Sequence, residues 1–476
     1  MESEIAGGTL KILVIEDEDR SLRQTMSSIN EVFGTTEVSV ARSLSEALQL
    51  ITEDFFDLAL CDLKIPTVLE ALDSNEDHGR AAYAALREHC PGTPVIFLTA
   101  RATTRNTSRE LASGGLGIAF GIENFLMTQL AHKGDPDEIE SLFREIADGI
   151  VGLDSCVVES SNLLDPMFAR AVQTYGFIMN SRSAKVSMTN GLSGSRVGIV
   201  EFDNSPNPPS TVVVKLDSSA RVFAESQNYH RFVNGLLPAG SFAAQFRVIE
   251  TGLRGMSASF STVASATSQT YFVKLGSMPT LDVVPQLINC LGRWAPSVSI
   301  ERISLGDLRA LAIHDPGFRS LSTFTESLTR HDQLEFELAT KITHGDLHGD
   351  NILIDAAGRA ILIDFADTAV RFASSDPVAL ELSLVAHPNA PFCDAWPTDD
   401  QLTQWTKLDR YAKGSPFAAL LHSCRSWGED DSNRDQFLAV AYVQACWLMK
   451  HGGSAALRMS IIAESIMSEL DERAHG

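Results

Sequence analysis

Three apolar runs in the first hundred residues each stop abruptly on an oxygen-bearing side chain, and no other feature constrains the fold as tightly. Lys11-Ile-Leu-Val-Ile15 runs into Glu16-Asp17-Glu18-Asp19, Phe56-Asp-Leu-Ala-Leu-Cys-Asp62 ends on its own carboxylate, and Pro94-Val-Ile-Phe-Leu-Thr99 ends on a hydroxyl. Apolar runs without alternation predict strands buried on both faces, as in a parallel sheet. Between them lie a helical pattern from Ser21 to Val32, a β-like stretch Glu37–Val40, and a helix to about Glu53 opened by Ser43 and Glu46 at capping-box spacing. Strands alternating with helices predict a doubly wound parallel sheet, whose sites lie beyond the carboxyl ends of its strands. Glu16, Asp17, Asp62 and Thr99 all fall at such ends.

Acids gathered in one cleft repel one another unless a cation sits among them, and hard carboxylate oxygens suit Mg²⁺. One carboxylate can then attack a phosphoryl group as nucleophile while a hydroxyl and a lysine receive the new phosphate. On these residues the stretch resembles the response-regulator receiver family. The resemblance implies a five-stranded α/β receiver over residues 1–150, with Glu16 and Asp17 as metal-binding acids. It casts Asp62 as phosphoacceptor and further metal ligand, Thr99 as the switch hydroxyl and Lys133 as its partner lysine. It also implies a sensor histidine kinase as phosphodonor. Two stretches run long for the family: Thr67 to Gly79 after the acceptor strand, and Thr99 to Lys133 through the Gly-rich Ser113–Gly121.

The chain has 476 residues, too many for one ordinary core, and its 44% hydrophobic content predicts a globular protein of two or three domains. A formal net charge of -23 argues against general affinity for nucleic acid or anionic membrane. The 7 cysteines are scattered without CxxC pairs, as reduced thiols would be. With no signal-like start and no long apolar window, a cytoplasmic protein is expected. Residues 151–182, neither Gly/Ser-rich nor Pro-rich, read as a helical linker with a short helix around Leu164–Tyr175.

The strongest motif is Thr343-His-Gly-Asp-Leu-His-Gly-Asp-Asn-Ile-Leu-Ile-Asp355, followed by Ala360-Ile-Leu-Ile-Asp-Phe-Ala-Asp367. It sets Asp346 five residues before Asn351 and delivers Asp364 on an apolar strand. Phosphoryl transfer from a nucleotide needs such a set, a carboxylate to orient the acceptor hydroxyl and oxygen ligands for Mg²⁺. Upstream, the small-residue loop Met188–Val197 lies between β-like stretches, and Thr211-Val-Val-Val-Lys-Leu216 is a strand bearing one lysine.

These segments resemble kinase-fold enzymes, most of all the aminoglycoside phosphotransferase-like branch. The resemblance implies a bilobal α+β protein-kinase-like fold over residues 183–476, with a small lobe at about 183–265 and a large lobe at about 266–476. It makes Asp346 the catalytic base and Asn351 and Asp364 the metal ligands. Gly191, Ser193, Gly194, Ser195, Lys215 and Glu225 would bind nucleotide, and Asp376, assisted by Glu381, would brace the loop. Ala366 departs from the glycine that follows Asp-Phe in protein kinases. Mg²⁺ and ATP are the implied cofactor and co-substrate, with a small-molecule or protein acceptor. Tyr271–Leu275 also resembles a lysine-bearing strand, and Thr323–Ala339 reads as a helix. His387, His422 and His451 stand alone in the sequence and are assigned no chemistry. The expected function is a phosphotransferase regulated by phosphorylation at Asp62. A nucleotide-binding pseudokinase adaptor and a nucleotidyltransferase remain open on the same residues.

Overall fold

The computed structural model describes residues 9–99, 115–189, 194–203, 210–263, 268–294, 299–312, 331–391, 393, 396–430 and 434–475. The chain forms two compact units, Met1–Ala224 with Gln245–Val263, and Glu225–Ala244 with Ala264–Gly476.

The first unit holds two sheets. Strands β1 (Leu10–Ile15), β2 (Thr36–Ala41), β3 (Leu58–Asp62), β4 (Val95–Thr99) and β7 (Thr128–His132) form an all-parallel sheet in the order β2-β1-β3-β4-β7. Helices α1 (Asp19–Phe33), α2 (Leu44–Glu53) and α3 (Glu76–His89) connect the strands, and Pro136–Leu153 follows β7. Two cores, one on each face, explain why β1, β3 and β4 carry apolar runs without alternation: Ile12 and Leu58 belong to one, Leu13 and Ala59 to the other. Ser43 caps α2 by accepting from the Glu46 N–H, while the Glu46 carboxylate turns back to the Arg42 N–H at 2.7 Å. Between β4 and β7 an antiparallel hairpin forms from β5 (Leu116–Ala119) and β6 (Ile122–Leu126). Its turn residues Phe120 and Gly121 have φ of 54° and 75°, the left-handed pair that a two-residue hairpin turn demands.

The second sheet, β12-β13-β11-β10-β9-β8, is antiparallel except for the parallel pair β8–β9. Its strands are β8 (Val157–Ser160), β9 (Ser183–Thr189), β10 (Arg196–Asp203), β11 (Ser210–Ser218), β12 (Gln245–Ile249) and β13 (Met256–Thr262). The stretch expected as a helical linker thus supplies the edge strand β8 as well as the helix Pro166–Ile178, whose Phe168, Val172 and Tyr175 enter the core of this sheet.

The two sheets of this unit meet at the amino ends of the parallel strands. Asp57, fully buried just before β3, accepts from both Nε and an Nη of Arg254 at 3.0 Å, from the backbone N–H of Lys11 at 2.8 Å, and from Arg170. Arg254 also donates to the Thr9 carbonyl, and Gly252 N–H donates to the Gly92 carbonyl at 3.0 Å. From the hairpin, Ile118 both donates to and accepts from the Thr251 hydroxyl, and Glu123 pairs with Arg247 at 2.6 Å.

The second unit is built on one large core, to which the helices Ser375–Ala386, Ala418–Asp430, Arg434–Leu448 and Gly453–His475 contribute. It contains two three-stranded sheets, β15-β16-β19 and β14-β17-β18, with β14 (Gln269–Thr270), β15 (Ser299–Ser304), β16 (Glu335–Thr343), β17 (Ile352–Ile354), β18 (Ala360–Leu362) and β19 (Ala369–Phe372). Two expectations fail here. Tyr271–Ser277 is a helix, opened by Thr270 accepting the Val273 N–H, and it buries Tyr271, Phe272 and Leu275 on one face. Of the expected helix Thr323–Ala339, residues 323–330 lie outside the described residues, and Glu335–Ala339 belongs to β16, in register with β15. Alternation of buried Leu338 and Thr340 with more open neighbours is the strand period that outweighs helix-favouring Glu and Leu.

Candidate functional site

Two oxygen-rich sites emerge, one in each unit. In the first unit, β1, β3 and β4 end side by side and bring Glu16, Asp17 and Asp62 together, with carboxylate oxygens within 4.8 Å of one another. Glu16 is fully buried and fixed by Ser21 Oγ at 2.6 Å and the Glu18 N–H at 3.0 Å. Lys133, just after β7, reaches back so that its Nζ lies 2.6 Å from Asp62 Oδ2 and 2.5 Å from Glu16. Burial raises the Asp62 carboxyl, with Glu16 adding to the push and Lys133 opposing it. Burial acts against the Lys133 charge, but Asp62 and Glu16 outweigh it and hold the ammonium above its usual range. Thr99, also buried, sits at the end of β4, and its carbonyl accepts the Lys133 N–H at 2.8 Å. The long Thr99–Lys133 stretch therefore does not displace the lysine. The extra length after β3 places Ser74 Oγ 3.4 Å from Asp17, a neighbour that the sequence did not announce. Carboxylates in this number and arrangement fit a hard divalent cation such as Mg²⁺.

Also in the first unit, Lys215 lies in β11 between Val197 and Ser259 of the adjoining strands. Buried Val214 and Leu216 flank it and point to the opposite face of the sheet. Gly194 has a φ of 76°, and the Ser195 hydroxyl donates to Asp217 at 2.6 Å. Gly191 and Ser193 lie outside the described residues.

In the second unit the loop after β16 carries the acidic motif. His344 and Gly345 donate their backbone N–H groups to the two oxygens of Asp376, at 2.9 and 3.1 Å, and the His344 ring contacts the Ile363 carbonyl at 3.0 Å. Gly345 has a φ of 86°, and a Cβ there would stand 2.2 Å from the Asp367 carbonyl oxygen, so no other residue fits. Asn351 donates through Nδ2 to the Asp346 carbonyl at 2.8 Å, which fixes its amide and turns Oδ1 away from that bond. Asp364 takes a left-handed φ of 61°, a strained conformation for a side-chain-bearing residue. Burial opposes the charge on Asp346, but hydrogen bonding and charge from His348, aided by His344 and Lys450, hold its carboxyl below the usual range. Asp367 is raised by burial and by Asp346 and Asp364, although its side chain remains 61% exposed and solvent tempers the effect. Asp367 thus lies within electrostatic reach of Asp346 and Asp364, and carboxylates together with the Asn351 amide are oxygen donors of the kind that suits Mg²⁺. Asp367 was legible only as the end of a motif. Glu225 lies in the helix Ser219–Asn228. Glu381 does not assist the loop. It is fully buried against Arg425, whose guanidinium stacks on Trp405 at 3.7 Å, because an uncompensated buried cation there would be untenable.

Residues 12–118 match the family model of the response regulator receiver domain. The first unit carries a receiver domain. Residues 305–426, which include the Asp346 loop, match the model of ternary complex associated domain 9. Among solved structures, a receiver domain protein from Methanospirillum hungatei is 23% identical over 30% of this chain and 98% of its own, with a TM-score of 0.23. The receiver domain of a sensor histidine kinase from Pseudomonas aeruginosa, solved with magnesium in its active-site cleft, is 15% identical over 30% of this chain and 99% of its own, at a TM-score of 0.22. An aminoglycoside phosphotransferase is 10% identical over 63% of this chain and 99% of its own, at a TM-score of 0.39. No curated protein matches the chain. Among the described residues no helix is long and apolar enough to cross a membrane.

Proposed function

We propose that this protein is a two-component signalling protein in which phosphorylation of Asp62 regulates an ATP- and Mg²⁺-dependent phosphotransferase acting on a hydroxyl acceptor. The receiver half rests on Glu16, Asp17, Asp62, Thr99 and Lys133. Asp62 attacks the phosphoryl group of a histidine-kinase donor, forming an O–P bond as the donor's N–P bond breaks. Lys133 then pairs with the new phosphate, and Thr99 donates its hydroxyl to it. Mg²⁺, held by Glu16, Asp17 and Asp62, supplies neutralisation of the phosphoryl charge.

In the phosphotransferase half, Asp346 orients the acceptor hydroxyl and takes its proton, a role suited to a carboxylate kept ionised by its neighbours. Asn351 and Asp364 hold Mg²⁺, and Asp376 keeps the loop in place through two backbone N–H groups. Lys215 pairs with nucleotide phosphates, Gly191, Ser193, Gly194 and Ser195 form the loop that approaches them, and Glu225 supports the lysine. The observation that carries this reading is a braced loop: Asp376 accepts from His344 and Gly345, Asn351 is bonded to Asp346, and Ile363, beside the left-handed Asp364, donates to the Asn351 carbonyl at 3.1 Å.

The test is ATP consumption by the full chain with Mg²⁺ across an acceptor panel, with and without acetyl phosphate as receiver phosphodonor. Turnover that is lost in Asp346→Ala and insensitive to acetyl phosphate in Asp62→Asn is expected. Equal turnover in wild type and Asp346→Ala refutes the enzymatic reading. The match of residues 305–426 to ternary complex associated domain 9 favours a second reading, an adaptor whose nucleotide-binding unit joins a multi-protein assembly. Stoichiometric ATP binding with no turnover on any acceptor would select it. Intact mass of the product separates phosphoryl from nucleotidyl transfer.

A further inference from the structure

Beside the Asp346 loop stands a group of side chains that the phosphotransferase reading leaves unused. His348, Asp350 and His387 each present one potential ligand atom, and these atoms lie within 4.8 Å of one another. The two imidazoles are stacked with centroids 4.4 Å apart, and His387 Nδ1 is 3.9 Å from Asp350 Oδ2. All three side chains are between 13% and 21% exposed, open enough for an ion to enter.

We propose that His348, Asp350 and His387 form a site for a first-row transition ion of the Zn²⁺ class, which clips the Asp346 loop to the end of the helix Ser375–Ala386. Two imidazoles and one carboxylate are borderline-soft ligands that suit Zn²⁺, in contrast to the all-oxygen groups suited to Mg²⁺. Three protein ligands leave one coordination position for water or another oxygen donor.

The surroundings match what metal-bound histidines require. In both rings Nδ1 is the nitrogen that carries the lone pair, since it accepts a backbone N–H, from Asp350 at 3.3 Å in His348 and from Asn389 at 3.2 Å in His387. The opposite nitrogen of His348, Nε2, lies 3.5 Å from Asp346 Oδ2. Coordination through Nδ1 would leave an N–H on Nε2 aimed at Asp346, the carboxylate–histidine–metal arrangement common at such sites. Asn389 Nδ2 donates to Asp350 Oδ2 at 2.8 Å and orients that carboxylate. The Phe272 ring walls both imidazoles, at 6.4 and 5.1 Å, and meets Gly349 so closely that a Cβ there would fall 2.2 Å from it. The helix thus holds the loop at its first turn through Asp376, and the residue that caps its far end would hold it through the ion.

The full-length chain, stripped of metal by chelation and kept in excess Mg²⁺ to fill the all-oxygen sites, is titrated with Zn²⁺ by calorimetry. Co²⁺ is then substituted to record its visible spectrum. One ion per chain is expected, with histidine-ligated Co²⁺ bands. Affinity should fall more than about ten-fold in His387→Ala and Asp350→Asn, and about ten-fold in the exposed outer variant Asn389→Ala. Asp62→Asn should bind as wild type does. No Zn²⁺ uptake in excess Mg²⁺, or uptake unchanged in Asp350→Asn and Asn389→Ala, overturns the proposal. The readout is binding, so either result leaves the phosphotransferase reading to its own test.

Discussion

The substitution Asp57→Asn keeps the shape of the side chain and removes its charge from between Arg170 and Arg254. The Asp57 side chain is fully buried, and those of Arg170 and Arg254 are 8% and 18% exposed, so the two guanidinium groups would face each other with little solvent to screen them. Removing one partner of a buried ion pair costs about 3–5 kcal/mol. For a unit of this size each kcal/mol shifts the melting point by roughly 2–4 °C, so a fall of about 10 °C is expected in calorimetry. The pH dependence carries its own sign. Burial opposes the Asp57 charge, but Arg170 and Arg254 win and lower its pKa below the usual carboxylate value. A lowered carboxylate contributes stability that is fully present above its unfolded pKa of about 3.9 and is lost as pH falls through the folded value. Wild type should therefore lose melting temperature on acidification more steeply than Asp57→Asn. Replacing the three together, as Asp57→Leu with Arg170→Met and Arg254→Met, should recover much of the loss, because no unpaired buried charge then remains. An Asp57→Asn chain that melts within 1 °C of wild type, with the same acid slope, would refute the claim that this network joins the two sheets of the first unit.

Other positions give independent checks. Gly345→Ala puts a Cβ against the Asp367 carbonyl at a φ of 86°, and turnover should be lost along with about 1–3 kcal/mol of stability, read by steady-state kinetics and urea unfolding. Glu381→Gln leaves Arg425 buried without its counter-charge, so stability should fall by about 3–5 kcal/mol while phosphotransfer per folded molecule stays constant. Lys133→Met should still accept phosphate at Asp62, seen by intact mass, but lose the response of ATP turnover to acetyl phosphate, since the charge that pairs with the phosphate is gone.

The parallel sheet was legible in the sequence because its three inner strands, β1, β3 and β4, are buried on two faces and so have no alternation to misread. The ends of those strands marked Glu16, Asp17, Asp62 and Thr99 directly, since a carboxylate after a buried run has nowhere to go except the sheet edge. Strand β8 was illegible: Val157–Ser160 is short, half polar and mostly exposed, and only its parallel partner β9 makes it a strand. Tyr271–Leu275 misled for the opposite reason, as five residues rich in aromatic and β-branched side chains satisfy either period, and the Thr270 cap decides between them. His387 was passed over because it is alone in sequence. Its partners His348 and Asp350 lie nearly 40 positions away, and only the fold of the helix Ser375–Ala386 against the loop brings them together. Asp57 went unremarked inside the apolar run that ends at Asp62, although a carboxylate within such a run signals a buried charge in need of partners.

Those two carboxylates frame the problem of regulation. Asp57 precedes β3 and Asp62 ends it, so at about 3.3 Å per residue they lie roughly 16 Å apart on one extended segment. The antiparallel sheet attaches at the amino end, through Asp57, Thr9 and Gly92, while Glu16, Asp17, Asp62 and Lys133 face the other end. Contacts with that sheet therefore leave the carboxyl-end face unobstructed, and any effect of phosphate at Asp62 on the antiparallel sheet has to cross the parallel one. The strands are themselves covalent routes, β1 from Thr9 to Glu16, β3 from Asp57 to Asp62 and β4 from Gly92 to Thr99. Strand β3 is packed on both faces and pinned at Asp57, which makes it a poor mover. The hairpin, by contrast, is attached by two hydrogen bonds to the single Thr251 hydroxyl and by the partly exposed Glu123–Arg247 pair. A hydroxyl can give up such bonds at a cost of about 1 kcal/mol each, far below the cost of parting Asp57 from its arginines. The energetic asymmetry makes the Asp57 contacts the costlier of the two attachments to break.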